Sequence, residues 1–287
     1  MIAAGFVMVR TQWLGRSFWD GAEKLVYFVL FPALLFAAIS RSNLALGDTA
    51  LVVQVAVLTM LAGSALGLLT RFIPGLNRTD WASGIQCAFR FNTYIAFAVA
   101  SRAGGSEGLA LMAVTIGFTV PLANLLAVSF LANTFHPGRL LKELSRNPLI
   151  IGTVAGLLAN VLALTPPETV YSALDRASSA ALALGLLCVG AGLSFAGITQ
   201  ASGQMQAVAI TTIKLIALPA FAWALCLALG VTGVQRDIAI LFASMPTATS
   251  SYILAVRMGG NGPLTAGLVS LSTLASMATI TVVYALL

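Results

Sequence analysis

Charged side chains are scarce in this sequence of 287 residues. Lys and Arg number 15 and Asp and Glu number 9, so 8% of the chain carries a formal charge, against roughly 25% in a soluble domain. So few charges cannot cover the surface of a water-soluble protein, and coiled-coil and disordered classes fail on the same numbers. The chain is 59% hydrophobic, in long apolar runs separated by short polar breaks. This pattern predicts an all-α integral membrane protein with several spans.

Residues that hold metals or phosphate groups are also few. The sequence has one histidine, His136, and three cysteines, Cys87, Cys188 and Cys226, without CxxC, HExxH or a similar metal-binding spacing. The cysteines lie in apolar runs and are predicted to be small buried hydrophobic residues. Neither GxxxxGKS/T nor GxGxxG occurs, so we expect no ATP-driven pumping and no cofactor.

Nine apolar segments approach the roughly 20 residues that a helix needs to cross a bilayer. A shorter apolar stretch, residues 1–9, precedes them and lacks the basic start and cleavage site of a signal peptide. Counting that stretch as segment 1 predicts ten transmembrane helices. Segments 2 to 10 comprise residues 23–40, 49–70, 81–101, 108–132, 147–164, 177–198, 205–230, 237–257 and 263–287.

Basic residues are distributed unequally between the two sides that these ten segments define. One side holds Arg10, Arg16, Lys24, Arg71, Arg78, Arg139, Lys142, Arg146 and Arg257. The other side holds Arg41, Arg102, Arg176 and Arg236. The side richer in Lys and Arg is normally cytoplasmic. We therefore expect a bacterial cytoplasmic (inner) membrane protein with both termini extracytoplasmic and the loop around His136 in the cytoplasm.

Two stretches of the chain resemble each other at an offset of 155 residues. Residues 100–106 and 255–261 share Ala-x-Arg-x-Gly-Gly, and each joins one segment to the next, 4 to 5 and 9 to 10. Five segments separate the copies, and this odd number predicts two halves inverted in the membrane, a common plan of secondary transporters. The alternative is a chance match of a common loop sequence. We expect a single transport domain, 1–287, made of a first repeat (1–132), a cytoplasmic linker (133–146) and a second, inverted repeat (147–287).

The offset also indicates that segment 1 is truncated. Segment 6 begins near Asn147, so the equivalent start of segment 1 would lie about nine residues before Met1. Two explanations stay open: a start codon further upstream, or a first helix that is genuinely short.

Two basic residues are predicted deep inside segments. Arg90 and Lys214 each lie about nine residues, or roughly 14 Å, into segments 4 and 8 from the predicted cytoplasmic side. No Asp or Glu lies deep in a segment. Buried cations in a membrane are costly and usually functional, and an anionic substrate would supply the missing counter-charge. The alternative is that both side chains extend to the cytoplasmic interface.

Polar stretches interrupt segments 4 and 9 at equivalent positions. Pro246 lacks a backbone donor and clashes with the preceding turn, so segment 9 should kink or break there. The start of a broken helix has free N–H groups and a positive dipole end, which suits a carboxylate. The alternative for the hydroxyl-rich run is a helix-packing interface. The predicted substrate-binding residues are Arg90, Asn92, Thr93, Tyr94, Pro246, Thr247, Thr249, Ser250, Ser251 and Lys214.

Several of these stretches resemble the auxin efflux carrier family, which includes bacterial transporters assigned to malonate and related acids. The resemblance runs along nearly the whole chain, and its pieces are Lys24–Tyr27, Phe31–Phe36, Asn92–Thr93, Asn147–Gly152 and Met245–Thr247. It implies ten helices in two inverted five-helix repeats, with discontinuous helices 4 and 9 crossing at the site. It also implies a small carboxylate substrate in contact with Asn92.

Some positions depart from the family pattern. Family members often continue Asn-Thr in helix 4 with Gly-x-Pro, where this chain has Phe97-Ala98-Val99. Plant members carry a second proline in helix 9, where this chain has Ser251. Arg90 is outside the family pattern and suggests a substrate different from auxin and more acidic.

The sequence thus predicts a carrier that moves a small organic anion, a mono- or dicarboxylate, by alternating access. An electrogenic exporter is the first expectation, since a cytoplasm-negative potential favours anion export. A sodium-coupled symporter and a passive anion channel stay open as alternatives. An enzyme is not expected, because the segments contain no nucleophile, metal cluster or paired carboxylates. The expected partners are the organic anion and the lipid bilayer, without nucleic acid, and a homodimer stays open.

Overall fold

The computed structural model describes residues 1–42, 46–132, 147–164, 166–194 and 197–287. Within these ranges the chain is helical and has no β-strand. The predicted cytoplasmic linker, 133–146, with His136, lies outside the described residues. The α-helices are α1 (Ile2–Arg10), α2 (Arg16–Leu25), α3 (Phe31–Ser40), α4 (Leu46–Leu68), α5 (Arg78–Ile85), α6 (Thr93–Ala132), α7 (Pro148–Val161), α8 (Glu168–Ala191), α9 (Ala201–Thr212), α10 (Leu218–Leu229), α11 (Gly233–Ala243), α12 (Ser250–Arg257) and α13 (Gly262–Leu286).

Six helical stretches of the described chain are long and apolar enough to cross a membrane. They are Ser17–Ser40, Thr49–Phe72, Arg78–Leu131, Glu168–Ala191, Ala201–Leu229 and Gly262–Leu286. Helix α7, Pro148–Val161, is apolar but shorter. Large hydrophobic side chains on the outside, such as Phe72 and Leu227, are 81% and 71% exposed, which suits contact with lipid. The chain is a polytopic membrane protein.

Two π-helical turns join α2 to α3 and α9 to α10. They comprise Val26–Leu30 and Ile213–Ala217, and each lies just before a proline, Pro32 or Pro219. Because proline has no N–H, the turn before it widens. The N–H of Phe31, for example, donates to the carbonyl oxygen of Val26, five residues back.

Helix α6 bends sharply at Gly105. This residue has φ of 56°, outside the helical region. A β-carbon on Gly108 would lie 2.8 Å from the carbonyl oxygen of Ala100, so the two arms of the bend approach closely. The bend therefore divides the stretch that the sequence predicts as segments 4 and 5.

Glycines allow two pairs of helices to touch backbone to backbone. A β-carbon on Gly190 of α8 would collide with the carbonyl oxygen of Ile2 on α1. A β-carbon on Gly152 of α7 would lie 2.7 Å from the carbonyl oxygen of Pro32 on α3. The same kind of contact thus joins α1 to α8 and α7 to α3.

Candidate functional site

Two helix interruptions meet in the interior of the protein. One lies between the 3₁₀ turn Gln86–Ala88 and α6, and the other between α11 and α12. The N–H of Asn92 in the first donates to the carbonyl oxygen of Pro246 in the second at 2.8 Å. The hydroxyl of Thr247 donates to the carbonyl oxygen of Cys87, also at 2.8 Å. These bonds satisfy buried backbone groups that the interruptions leave free, as a membrane interior requires.

Each interruption is followed by a helix that starts at this crossing. Helix α6 is capped by Asn92, whose Oδ1 accepts the N–H groups of Tyr94 and Ile95 at 3.1 Å each. Helix α12 begins at Ser250. Because the N-terminal end of a helix carries a partial positive charge, the crossing brings two such ends together.

Arg90 adds a full positive charge beside these helix starts. Its side chain is 7% exposed, and its Nη2 donates to the hydroxyl of Ser250 at 2.9 Å. Its Nη1 lies 3.4 Å from Oε1 of Gln86. Among the described residues, ion pairs join only Arg41 with Asp175 and Arg236 with Asp237. The Arg90 guanidinium is therefore buried with neutral partners alone in the described chain.

A cavity of about 500 Å³ opens onto the crossing. We call it the main cavity. Its walls are the starts of α6 and α12 on one side, and α2 with the π-turn before α3 on the other. Its charged lining residues are Asp20, Glu23, Lys24 and Arg257.

A second cavity of about 300 Å³ adjoins the first and shares Phe91, Thr93 and Ser250 with it. We call it the arginine chamber, because its charged lining residues are Arg90 and Arg257 and its lining includes no acid. The two cavities together place two arginines and two helix starts around one space, an arrangement suited to an anion.

Two buried polar atoms at the crossing lack hydrogen-bond partners in the described structure. They are Nδ2 of Asn92 and Oγ of Ser251. A buried donor without a partner costs free energy unless a ligand or water pairs with it. Asn92 also lines the main cavity, so the unpaired donor belongs to a residue of the cavity wall.

The predicted site residues fall into three groups. Arg90, Asn92, Thr93, Tyr94, Thr249 and Ser250 line one or both cavities. Pro246, Thr247 and Ser251 lie at the crossing and do not line either cavity. Instead, the Pro246 carbonyl oxygen accepts from the N–H of Asn92, and the Thr247 hydroxyl donates to the Cys87 carbonyl oxygen. The Ser251 carbonyl oxygen accepts from Nε2 of Gln86 at 3.2 Å.

Lys214 forms the third group on its own. It is 2% exposed and lies in the π-turn Ile213–Ala217, which contacts the turn Gln86–Ala88, α4 and α13. It lines neither of the two cavities. The structure thus separates Lys214 from the space beside Arg90.

Sequence reasoning missed two residues of the site. Gln86 contacts both Arg90 and the carbonyl oxygen of Ser251 in the first turn of α12. In the sequence it could have been found as a polar residue four positions before Arg90, on the same helical face. Arg257 lines both cavities, although the sequence counted it only as a loop charge. Its signal was the seven-residue spacing from Ser250, two helical turns along one face.

A third cavity, of about 650 Å³, lies at the other end of α3. Along α3, Phe31 lines the main cavity, and Leu34, Ala37 and Arg41 line this far cavity. Between them the Phe31 ring packs on Tyr94 and Phe97, with centroids 5.0 and 5.2 Å apart. Two rings of this aromatic cluster, Phe31 and Tyr94, line the main cavity, and no ring of the cluster lines the far one.

An ion pair stands beside the far cavity. Arg41 forms a bidentate pair with Asp175, and its guanidinium lies over the ring of Tyr171 at 4.6 Å. The hydrogen bond to Asp175 raises the pKa of Arg41. The pair joins the end of α3 to α8.

Comparisons with known proteins identify similar membrane transporters. A family model described as membrane transport protein matches residues 136–284, just over half of the chain. An uncharacterized transporter of Methanothermobacter thermautotrophicus is 22% identical over 281 residues, which cover 96% of this chain and 92% of that protein. A putative malonate transporter of Rhizobium meliloti is 27% identical over 144 residues, or 49% of this chain and 43% of that protein.

Proposed function

The chain belongs to the auxin efflux carrier family of membrane transport proteins, and from this membership we propose that it carries a small organic anion across the membrane by alternating access. The observation that carries the proposal is Arg90. It is a buried cation without an acidic partner in the described chain, beside two helix starts and two cavities. Members of this family are transporters and not enzymes.

The proposed architecture is ten membrane segments in two inverted five-helix repeats, 1–132 and 147–287. The two helix interruptions support it, because they lie at the predicted offset and bond directly to each other. The glycine contacts also support it, since segment 1 packs on segment 7 as segment 6 packs on segment 2. The inner-membrane location and the extracytoplasmic termini belong to the same proposal.

The charge balance of the site favours an anion over a cation or a neutral substrate. An isolated ionised group in a membrane interior costs several kcal/mol, and a bound carboxylate would offset that cost for Arg90. The helix starts add partial positive charge at the same point. The relative named as a malonate transporter agrees with a carboxylate.

The direction and driving force follow from where the charges lie. Lys24 and Arg257 line the main cavity and lie on the predicted cytoplasmic side, which supports a main cavity that opens to the cytoplasm and loads an exported anion. The membrane potential then favours export without a coupled ion. Sodium-coupled symport is the alternative mechanism, because carbonyl and hydroxyl oxygens at helix interruptions also bind Na⁺.

The test is transport by reconstituted protein in liposomes carrying an Arg90→Ala substitution. We expect the substrate affinity, the transport rate or both to fall by at least about tenfold, since a charge-assisted hydrogen bond is lost. Arg90→Lys should retain part of the transport, because it keeps the charge without the planar fork. Arg102→Gln, an exposed arginine outside both cavities, is the control. Unchanged affinity and rate in Arg90→Ala would show that the anion binds elsewhere.

A further inference from the structure

Arg257 occupies a particular place on α12. Together with Ser250, Ile253 and Leu254 it lines the arginine chamber. These residues are spaced by three, four and seven positions, so they form one face of the helix. We call this face, Ser250 to Arg257, the α12 stripe. It begins at Ser250, whose hydroxyl accepts from Arg90, and ends at Arg257.

Helix geometry sets the distance along α12 between Ser250 and Arg257. Seven residues of α-helix rise about 10.5 Å between Ser250 and Arg257. Side chains of a helix point back toward its N-terminus, so the Arg257 side chain covers the turn between itself and Ser250. Ile253 and Leu254 line the chamber between Ser250, which bonds Arg90, and Arg257.

Arg257 is an exposed residue that lines both cavities, the main one together with the acids Asp20 and Glu23. No described acidic residue forms an ion pair with Arg257. The arginine chamber, of about 300 Å³, has no acidic lining residue. A monocarboxylate held at Arg90 would leave the second positive charge of this chamber without a partner.

The geometry points to Arg257 as a second substrate-binding residue, one that holds the distal carboxylate of a short dicarboxylate whose proximal carboxylate is held by Arg90. This role rests on the proposed function. It assigns specificity to Arg257: the residue distinguishes dianions from monoanions, whereas Arg90 is needed for both. An arginine suits the role because its planar fork can pair with both oxygens of a carboxylate.

The experiment compares succinate with butyrate, which have equal carbon numbers and differ by one carboxylate. Proteoliposomes of the full chain are assayed for uptake of each acid with Arg257→Gln, Arg257→Lys and Arg102→Gln. Arg102 is the matched control, because it is the repeat counterpart of Arg257 and lines neither cavity. We expect Arg257→Gln to lower the succinate-to-butyrate ratio of transport by about tenfold or more. Arg257→Lys should give an intermediate ratio, and Arg102→Gln the wild-type ratio.

A wild-type ratio in Arg257→Gln, or an equal loss of both acids, overturns the role of Arg257 and leaves the proposed function standing. If instead Arg257 served only the C-terminal end of α12, Lys would replace it fully and the ratio would not change. Should Arg257→Gln fail to fold, competition in the wild type decides. Succinate should then inhibit at least about tenfold better than monomethyl succinate, and equal inhibition overturns the inference. Absence of wild-type transport of any anion would instead refute the proposed function.

Discussion

At the scale of single residues, Asn92 has two separate tasks. Its Oδ1 caps α6 by accepting the N–H groups of Tyr94 and Ile95, while its Nδ2 is buried without a partner in the described structure. The Oδ1 contacts stabilise the helix, and we propose that Nδ2 binds the substrate. The two atoms of one amide can therefore be tested apart.

Asn92→Asp is the substitution that separates them. Aspartate is as good a helix cap as asparagine, and the two helix starts at the crossing favour a negative charge. These effects offset the cost of burying the carboxylate, so we expect a thermal unfolding midpoint close to that of the wild type. Its carboxylate replaces a donor with a negative charge that repels an anion, so we expect transport in liposomes to fall by at least about tenfold. Asn92→Ser keeps a capping oxygen without the charge and should retain more transport than Asn92→Asp. Full transport by Asn92→Asp would mean that Nδ2 does not contact the substrate.

At the scale of helices, the sequence predicted the interruptions but only part of their chemistry. Pro246 marked the second one, because a proline cannot continue the hydrogen-bond pattern of a helix. The first one contains no proline, and the bond from Asn92 to the Pro246 carbonyl that joins the two is a tertiary contact. Such contacts depend on how distant segments pack. The spacing of Gln86 from Arg90 and of Arg257 from Ser250 shows only that each pair shares a helical face, and packing decides whether that face lines the site.

For helix packing, too, the sequence indicates where a close contact or a missing hydrogen bond occurs, and only the structure identifies the partner. The Gly152 and Gly156 spacing indicates close helix approach, and the structure identifies α3 as the partner through Pro32 and Phe36. Pro32 and Pro219 each lack the N–H that a continuous helix needs, and the structure places a π-turn before each of them. By contrast Pro121 lies inside the continuous second arm of α6. A proline predicts a missing hydrogen bond, and the neighbouring helices decide how the backbone accommodates it.

Gly152→Ala tests the contact between α7 and α3. The new methyl group would lie 2.7 Å from the Pro32 carbonyl oxygen and 2.8 Å from its Cα, so the backbones must move apart. Overpacking of this kind costs about 1–3 kcal/mol, and we expect a lower thermal unfolding midpoint in detergent. Gly21→Ala in α2 is the control, because a β-carbon there meets no atom within 4 Å. Equal midpoints for the two variants would mean that α7 and α3 are not in close contact.

At the scale of the whole molecule, the scarcity and the positions of charged residues are the main evidence for the protein class and for the proposed site. The rarity of charged residues was enough to predict a membrane protein, and the helical spans confirm it. Arg90 and Lys214 were both predicted near the substrate, and the structure separates them, since Lys214 lines neither cavity beside the crossing. Depth along a helix can be counted from the sequence, whereas the direction in which a residue faces depends on the packing of all segments.

The positions of acidic and basic residues around the two cavities also predict how transport responds to voltage. Asp20 and Glu23 are the acids that line the main cavity, and no acid lines the arginine chamber, so the described site has no chain of carboxylates beside Arg90 to relay protons. An anion that crosses alone gains about 2.3 kcal/mol per charge for each 100 mV, or about 50-fold in its equilibrium gradient. In proteoliposomes without Na⁺, we therefore expect a potassium diffusion potential set with valinomycin, positive inside, to drive accumulation of the labelled anion. A potential of the opposite sign should drive its release. Voltage-insensitive uptake that requires Na⁺ would instead establish sodium coupling, and a flux that neither saturates nor shows counterflow would establish a channel.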